Sequence, residues 1–278
     1  TTMAITAAMV KELRDKTGAG MMDCKKALTE CEADVEKALD WLRQKGLSKA
    51  AKRADRATSE GVIASATSAD GKVSAIVEVM TETDFVARGE KFQDFAKHVA
   101  QEVAANNPEN LDAFQDAMNE LAASTGEKTV LGRFVRMSIE GEGVIGTYVH
   151  SNGKLAVLVE VDTDKPADAV VADFAKNVAM QIAASNPLAL DADSLDPALL
   201  EREREVYRQK ALAEGKPEKI IDKIAEGAVK KYCKEVCLLD QPYIRDDKMT
   251  VQDLVKATAK AAGCTITISK FVRIQLGA

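Results

Sequence analysis

The chain has 278 residues, of which 46% are hydrophobic, 29% charged and only 4% aromatic, and its net charge is −6. This length and apolar content predict an ordinary, helix-rich globular protein of roughly two domains. The negative charge argues against direct nucleic-acid binding, which needs a concentrated excess of Lys and Arg. The sequence contains no run of about 20 apolar residues, so no membrane span is predicted.

The segment 1–56 is predicted to form a small helical unit. An apolar stripe over residues 5–16 predicts a helix, which residues 17–20 break. A second helix is expected over residues 21–32, and a third begins after the N-cap Asp34 and ends at Gly46. The basic side chains around its end are interpreted as a solvated linker face, with an anion contact as the alternative; they are Arg43, Lys45, Lys49, Lys52, Arg53 and Arg56.

An internal repeat covers most of the remaining chain. Gly61-Val62-Ile63 recurs further along as Gly143-Val144-Ile145. The turn sequence Asp70-Gly71 recurs at the same offset as Asn152-Gly153, and both turns tolerate the positive φ of a hairpin. A duplicated β-hairpin is therefore predicted.

Each hairpin is followed by matching later elements. Helices ending at Asn107-Pro108 and Asn186-Pro187 are predicted, and the alternating segments 133–137 and 270–274 are predicted as a third strand in each copy. The interval between the end of the helix and the third strand is much longer in the second copy, which indicates an insertion there. Residues 197–213 and 217–236 predict a helical hairpin in this insertion, with a polar first arm that projects into solvent.

These elements predict an α+β fold. It consists of an N-terminal three-helix bundle, two duplicated α+β core subdomains and an inserted antiparallel helical hairpin. The expected domains are residues 1–56 with the basic linker, 57–140 and 141–278, with the insertion at about 190–240.

The sequence offers little for catalysis. It contains no GxxxxGK[ST] loop, GxSxG elbow or HExxH pair, so we expect no enzyme, no cofactor and no metal site. His98 is interpreted as a partly buried packing residue, and His150 as an exposed residue that is either a contact or a neutral surface position. Glu82 and Asp84 would be the acid–base pair of a hydrolase, but spacing of i and i+2 in a loop is nonspecific.

The five cysteines include no CxxC pair, which fits reduced thiols and a cytoplasmic location. Cys233 and Cys237 lie one helical turn apart. They are interpreted as packing thiols, because zinc sites seldom use two cysteines without further Cys or His ligands nearby.

The two copies differ most between hairpin and helix. Residues 81–94 of the first copy contain Asp84-Phe85-Val86, whereas the shorter segment 163–173 contains Asp164-Lys165-Pro166. Residue type alone favours packing of Phe85 back onto the sheet. The alternative is that the loop presents Phe85 to a partner, where its burial would contribute roughly 1.5–3 kcal/mol.

Three stretches resemble the bacterial elongation factor Ts family, the guanine-nucleotide exchange factors of elongation factor Tu, and the resemblance spans nearly the whole chain. They are residues 10–14 (VKELR) with 17–28 (TGAGMMDCKKAL), Thr83-Asp84-Phe85-Val86, and Gly215-Lys216-Pro217. The resemblance implies an N-terminal domain of the ubiquitin-associated type. It also implies elongation factor Tu, GDP-bound and nucleotide-free, as the partner, without direct nucleic-acid or membrane contact.

The resemblance also assigns residue roles. Thr83, Asp84, Phe85 and Val86 would form the loop that dislodges Mg²⁺ from elongation factor Tu and promotes GDP release, so that GTP can bind. Arg14, Met21 and Met22 would contact the partner's G domain, and His150 would contact the partner outside that site.

Two expectations stand beside these roles. The alternative function is a non-catalytic scaffold whose N-terminal bundle binds another protein. Members of the family often continue past the last strand into another partner-binding helix, whereas this chain ends at Ala278, so that contact is not expected here.

Overall fold

The structure, a computed structural model, describes residues 5–17 and 19–278, except for the side chains of residues 47–52. Gly18 in the predicted helix break and the side chains of Lys49 and Lys52 lie outside this description. In the described part the α-helices are α1 (Ala7–Thr17), α2 (Met21–Glu30), α3 (Val35–Lys52), α4 (Asp84–Ala87), α5 (Glu90–Asn106), α6 (Gln115–Thr125), α7 (Ala169–Ser185), α8 (Pro197–Ala213), α9 (Glu218–Val236) and α10 (Val251–Ala262). The strands are β1 (Glu60–Thr67), β2 (Val73–Thr81), β3 (Val130–Ser138), β4 (Gly143–Val149), β5 (Leu155–Asp162), β6 (Pro242–Tyr243), β7 (Asp246–Thr250) and β8 (Thr267–Gln275).

The N-terminal unit is a three-helix bundle, as predicted. Its helices surround one apolar core, whose buried members are Leu13, Cys24, Ala27, Leu28 and Ala38. The Asp34 carboxylate accepts a hydrogen bond from the Lys37 amide at 3.1 Å, so Asp34 caps the start of α3.

The third helix is longer than predicted, and Gly46 does not end it. A Cβ atom on Gly46 would lie 3.5 Å from the Cβ atom of Ala123 in α6. This glycine therefore lies where two helices pack closely, not at a left-handed C-cap.

The interpretation of the basic residues as a solvated linker face was wrong for Arg53, whereas Arg43 and Arg56 are exposed. Arg53 is only 5% exposed and donates a hydrogen bond at 2.7 Å to the Ala122 carbonyl oxygen in α6. The others form the ion pairs Arg43–Asp116 (2.6 Å), Lys45–Asp23 (2.6 Å) and Arg56–Glu82 (3.3 Å). The contacts of Arg43, Arg53 and Arg56 thus join this segment to the core, while Lys45 pairs within the bundle.

The core contains two antiparallel sheets with the strand orders β1-β2-β3 and β4-β5-β8. Their hairpin loops have the same backbone geometry. Gly71 has a φ of 72° and Gly153 a φ of 68°, and the amides of Ser68 and His150 both donate across the loop at 2.8 Å. The duplicated hairpin and the third strand of each copy are therefore confirmed.

Polar contacts are duplicated as well. The ion pair Glu78–Arg133 corresponds to Glu160–Lys270, each at 2.9 Å. The Arg136 guanidinium donates to the Ala104 carbonyl oxygen at 2.9 Å, and Arg273 donates to that of Ala183 at 3.3 Å. The repeat therefore extends from the backbone to the side chains that join helix and sheet.

The two sheets pack face to face between outer helices. The inner faces meet in a cluster whose buried members are Ile63, Ile76, Met137, Ala156, Leu158 and Ile274. On the outer faces, α5 packs against the first sheet and α7 with α10 against the second. The Ile63 amide also donates to the Gly153 carbonyl oxygen at 2.7 Å, which ties the two hairpins together.

Two equivalent helices, α6 and α10, were not predicted. Both end at a glycine in the left-handed region, Gly126 with a φ of 79° and Gly263 with a φ of 60°. α6 buries only Leu121 and Ala122, so its apolar pattern is weak. Each copy is therefore a hairpin, two helices and a late strand.

The inserted helical hairpin is confirmed. Gly215, with a φ of 69°, lies between α8 and α9, and α8 buries only Ala211 because its other side chains face solvent or α9. Cys233 and Cys237 are buried at its base. Burial raises the pKa of Cys237 to about 12, which keeps it a neutral packing thiol.

Two features are absent from the described residues, a helix able to span a membrane and a metal-binding group of side chains. None of the helices there has the length and apolar character that crossing a membrane requires. No group of three or more His, Cys, Asp and Glu side chains in the same residues could hold a metal ion.

We expect Glu78→Gln to lower the free energy of unfolding at neutral pH by about 1–3 kcal/mol, because Arg133 and the Gly277 amide lose a buried charged acceptor. Burial raises the pKa of Glu78, but hydrogen bonds from Arg133 and Gly277 outweigh it, so the pKa lies below its usual value. A carboxyl with a lowered folded-state pKa contributes stability above its unfolded pKa and loses it as pH falls through the folded pKa. The difference from wild type in urea unfolding should therefore shrink on acidification.

Glu160→Gln is the matched control in the second copy. Glu160 contacts Lys270 at 2.9 Å but without hydrogen-bond geometry at that oxygen. The control should therefore lose less stability than Glu78→Gln. Equal losses would contradict the importance of the Glu78 hydrogen bonds.

Candidate functional site

The segment Thr83–Val86 forms a corner between β2 and α5, and hydrogen bonds fix the backbone of this corner. Thr83 is the N-cap of α4, and its Oγ1 accepts a hydrogen bond from the Val86 amide at 3.3 Å. Val86 and the buried Ala87 pack against the apolar cluster between the first sheet and α5, whereas Phe85 points outward and is 85% exposed. The expectation from residue type, that Phe85 packs back onto the sheet, was wrong.

Glu127, which follows α6, holds this corner. Its carboxylate accepts hydrogen bonds from the Thr81 hydroxyl (2.9 Å), the Thr83 amide (3.0 Å) and the Thr83 hydroxyl (2.6 Å). Burial raises the pKa of Glu127, but these hydrogen bonds outweigh burial and the pKa lies below its usual value. Glu127 is therefore an ionised acceptor. Glu127 was not predicted as a site residue, because no motif surrounds it.

The two carboxylates of the hydrolase hypothesis have separate partners. Glu82 accepts a hydrogen bond from the Lys128 amide at 2.7 Å and pairs with Arg56. Asp84 pairs with Arg88 at 3.2 Å across one exposed helical turn. This arrangement gives no support to an acid–base pair.

A groove of about 640 Å³ lies between α4 and the second hairpin loop. Asp84 and Arg88 line one wall, and His150 with Lys154 lines the other. The His150 Nδ1 atom lies 2.9 Å from the Tyr148 hydroxyl, and the side chain is exposed. The structure thus brings Asp84 and His150 to one groove, although they lie in different copies of the repeat.

The other predicted contact residues lie on the helical bundle. Met21 and Met22 occupy the first turn of α2 and are 59% and 76% exposed. Arg14 is exposed on α1. None of the three lines the groove.

His98 is exposed, so its interpretation as a partly buried packing residue was wrong. Its ring meets Phe114 edge to face, with the ring centroids 6.1 Å apart. Phe114 itself is partly buried and packs against the apolar cluster between the first sheet and α5.

Comparison with known proteins identifies the family. Residues 82–278 match the family model described as Elongation factor TS. The chain is 61% identical to elongation factor Ts of Nitratidesulfovibrio vulgaris (strain DP4), over 99% of this chain and 96% of the relative. It is 58% identical to that of Desulfovibrio desulfuricans and 54% identical to that of Lawsonia intracellularis, each over 99% of both chains. The chain therefore belongs to the elongation factor Ts family, with the role of an elongation factor in protein biosynthesis.

Proposed function

We propose that this chain promotes the release of GDP from elongation factor Tu, so that GTP can bind, and that Thr83–Val86 acts at the partner's Mg²⁺ and phosphate site. The observation that supports this most is the exposure of Phe85 on a corner that is otherwise fixed. A large apolar side chain held in solvent by a rigid backbone is typical of an interface anchor.

The physics of the partner class is consistent with a wedge. A P-loop GTPase holds its nucleotide through the phosphate-cradling loop and a Mg²⁺ ion that bridges to phosphate. Insertion of Phe85 behind that site would move the partner's helices and weaken both contacts without touching the base. Asp84 would position the loop through charge-assisted hydrogen bonds to the partner's backbone or basic groups.

Elongation factor Tu is the proposed partner in its GDP-bound and nucleotide-free forms. By reciprocity, a factor that lowers the affinity for nucleotide binds the empty partner more tightly than the loaded one. The chain would act without a cofactor and without chemical turnover of its own, in the cytoplasm. It would divide into domains at residues 1–56, 57–140 and 141–278.

The bundle would supply a second contact. Arg14, Met21 and Met22 offer a cation and two flexible apolar side chains to the partner's G domain, and His150 offers a contact beside the groove. Because these residues lie on other elements than the short helix α4 that carries Phe85, they would increase affinity without taking part in the displacement of Mg²⁺.

We expect Phe85→Ala to lower the efficiency of GDP release about ten- to a hundredfold, because burial of one phenylalanine contributes about 1.5–3 kcal/mol. The measurement is release of labelled GDP from elongation factor Tu against factor concentration. Leu188→Ala is the matched control, since Leu188 is 57% exposed and lies outside the groove.

The results separate the hypotheses. No acceleration by the wild-type chain would end the exchange proposal. A fully active Phe85→Ala variant would end the assignment of the loop and favour the scaffold alternative, in which changes at Arg14 or Met21 alone abolish partner function.

Met21→Ala/Met22→Ala should separate binding from displacement. We expect the factor concentration for half-maximal release to rise about tenfold, while the maximal rate stays near that of wild type. The measurement is the same titration extended to saturation. A lower maximal rate with unchanged half-saturation would contradict the assignment of these residues to affinity alone.

A further inference from the structure

The second copy of the repeat can be compared directly with the Thr83–Val86 corner of the first. The offset that relates the two hairpins makes Asp164 the counterpart of Glu82, and the offset that relates β3 to β8 makes Thr265 the counterpart of Lys128. The Lys128 amide donates to Glu82 at 2.7 Å, and the Thr265 amide donates to Asp164 at 2.7 Å. This contact is common to both copies, so it belongs to the scaffold.

The hydrogen bonds of Glu127 exist in the first copy alone. Its counterpart by the strand offset is Cys264, and the counterpart of Thr83 by the hairpin offset is Lys165. In the second copy the Lys165 amide donates instead to the Thr163 hydroxyl at 3.2 Å, and no short helix forms at 164–167. The carboxylate is therefore present where the corner becomes α4 and absent where it remains a plain turn.

The geometry explains how Glu127 shapes the corner. The Thr83 hydroxyl donates a hydrogen bond to Glu127, which leaves the hydroxyl oxygen lone pairs free to accept a hydrogen bond from the Val86 amide. A single turn of helix has little stability of its own, so its cap decides whether it forms. The same carboxylate accepts the Thr83 amide and the Thr81 hydroxyl, which fixes the backbone entering the turn.

Glu127 is itself anchored. Arg53 donates to the carbonyl oxygens of Ala122 and Glu127, at 2.7 Å and 3.4 Å, from the end of the helical bundle. The Lys128 ammonium donates to the Arg56 carbonyl oxygen at 3.1 Å. The turn that carries Glu127 is thus fixed from a second direction.

We propose that Glu127 is a positioning residue for nucleotide exchange, which holds Thr81 and Thr83 so that α4 forms and Phe85 is presented to the partner. The proposal rests on the proposed function of the Thr83–Val86 segment. Glu127 does not touch the partner; it acts through Phe85.

The test is Glu127→Gln, which keeps the size of the side chain but replaces one acceptor oxygen with a donor. We expect GDP release from elongation factor Tu to become about fivefold less efficient, the fold-change that corresponds to loss of one helix cap. In a Phe85→Ala background the same change should have no further effect. An equal additional loss in that background would overturn the proposal, because Glu127 would then act independently of Phe85.

Asp164→Asn is the matched control, because it weakens the equivalent scaffold contact in the second copy and lies outside the proposed exchange machinery. Its exchange activity should equal that of wild type. A loss as large as that of Glu127→Gln would show general destabilisation and overturn the specific role.

Amide hydrogen exchange of the free chain gives a readout independent of the partner. The segment 82–87 should exchange faster in Glu127→Gln, with β2 and α5 unchanged, and unaltered protection would overturn the proposal. If Glu127→Gln does not fold, Thr81→Val can replace it. Thr81→Val removes only one of the three hydrogen bonds, and we expect it to show the same local change. If wild type accelerates release and Phe85→Ala does not, but Glu127→Gln equals wild type, this inference fails while the proposed function stands.

Discussion

The face-to-face packing of the two sheets is the constraint on which the rest of the structure depends. β2 and β5 are the central strands, and both are buried along nearly their whole length, on both faces. A three-stranded sheet with two apolar faces needs a cover on each. Helices cover the outer faces, and only the other copy covers the inner one, so each half completes the core of its neighbour. The same packing places the loop of the second hairpin beside α4 of the first copy, and the groove between Asp84 and His150 lies there.

This shared core makes divergence at the corner tolerable. The strands, the outer helices and the repeated ion pairs remain similar in the two copies because both depend on the same interface. The connection after the hairpin lies outside the interface, and changes there cost little in packing. One copy keeps a polar turn that Asp164 closes, while the other has a one-turn helix that Glu127 holds.

Much of the fold was predictable, because the duplication presents the same sequence pattern twice. The same signal occurs in both copies at a fixed offset, as at Gly71 and Gly153 or at Asn107 and Asn186. The two asparagines have nearly equal left-handed φ values of 47° and 45°. α6 could not be predicted, since its stability comes from packing on α3 at Gly46 and Ala123 and not from its own apolar pattern. Arg53 was misinterpreted for a related reason, because burial of a charged side chain depends on acceptors far away in the chain. The motif around Phe85 was found, but the carboxylate that accepts the hydrogen bonds of Thr83 belongs to Glu127, which is distant in the sequence.

The fixed corner has a physical consequence for any partner that binds it. A flexible loop that presents a phenylalanine would lose conformational entropy on binding, and affinity would fall accordingly. Here that entropy is lost during folding, through hydrogen bonds that Thr83 donates to the Glu127 carboxylate and through burial of Ala87, both independent of the partner. An exchange factor must also leave its partner once GTP has bound, so very tight binding would hinder it. In the proposed function, a small rigid wedge with Phe85 as its apolar contact, and with affinity supplied separately by the helical bundle, would reconcile effective displacement with ready release.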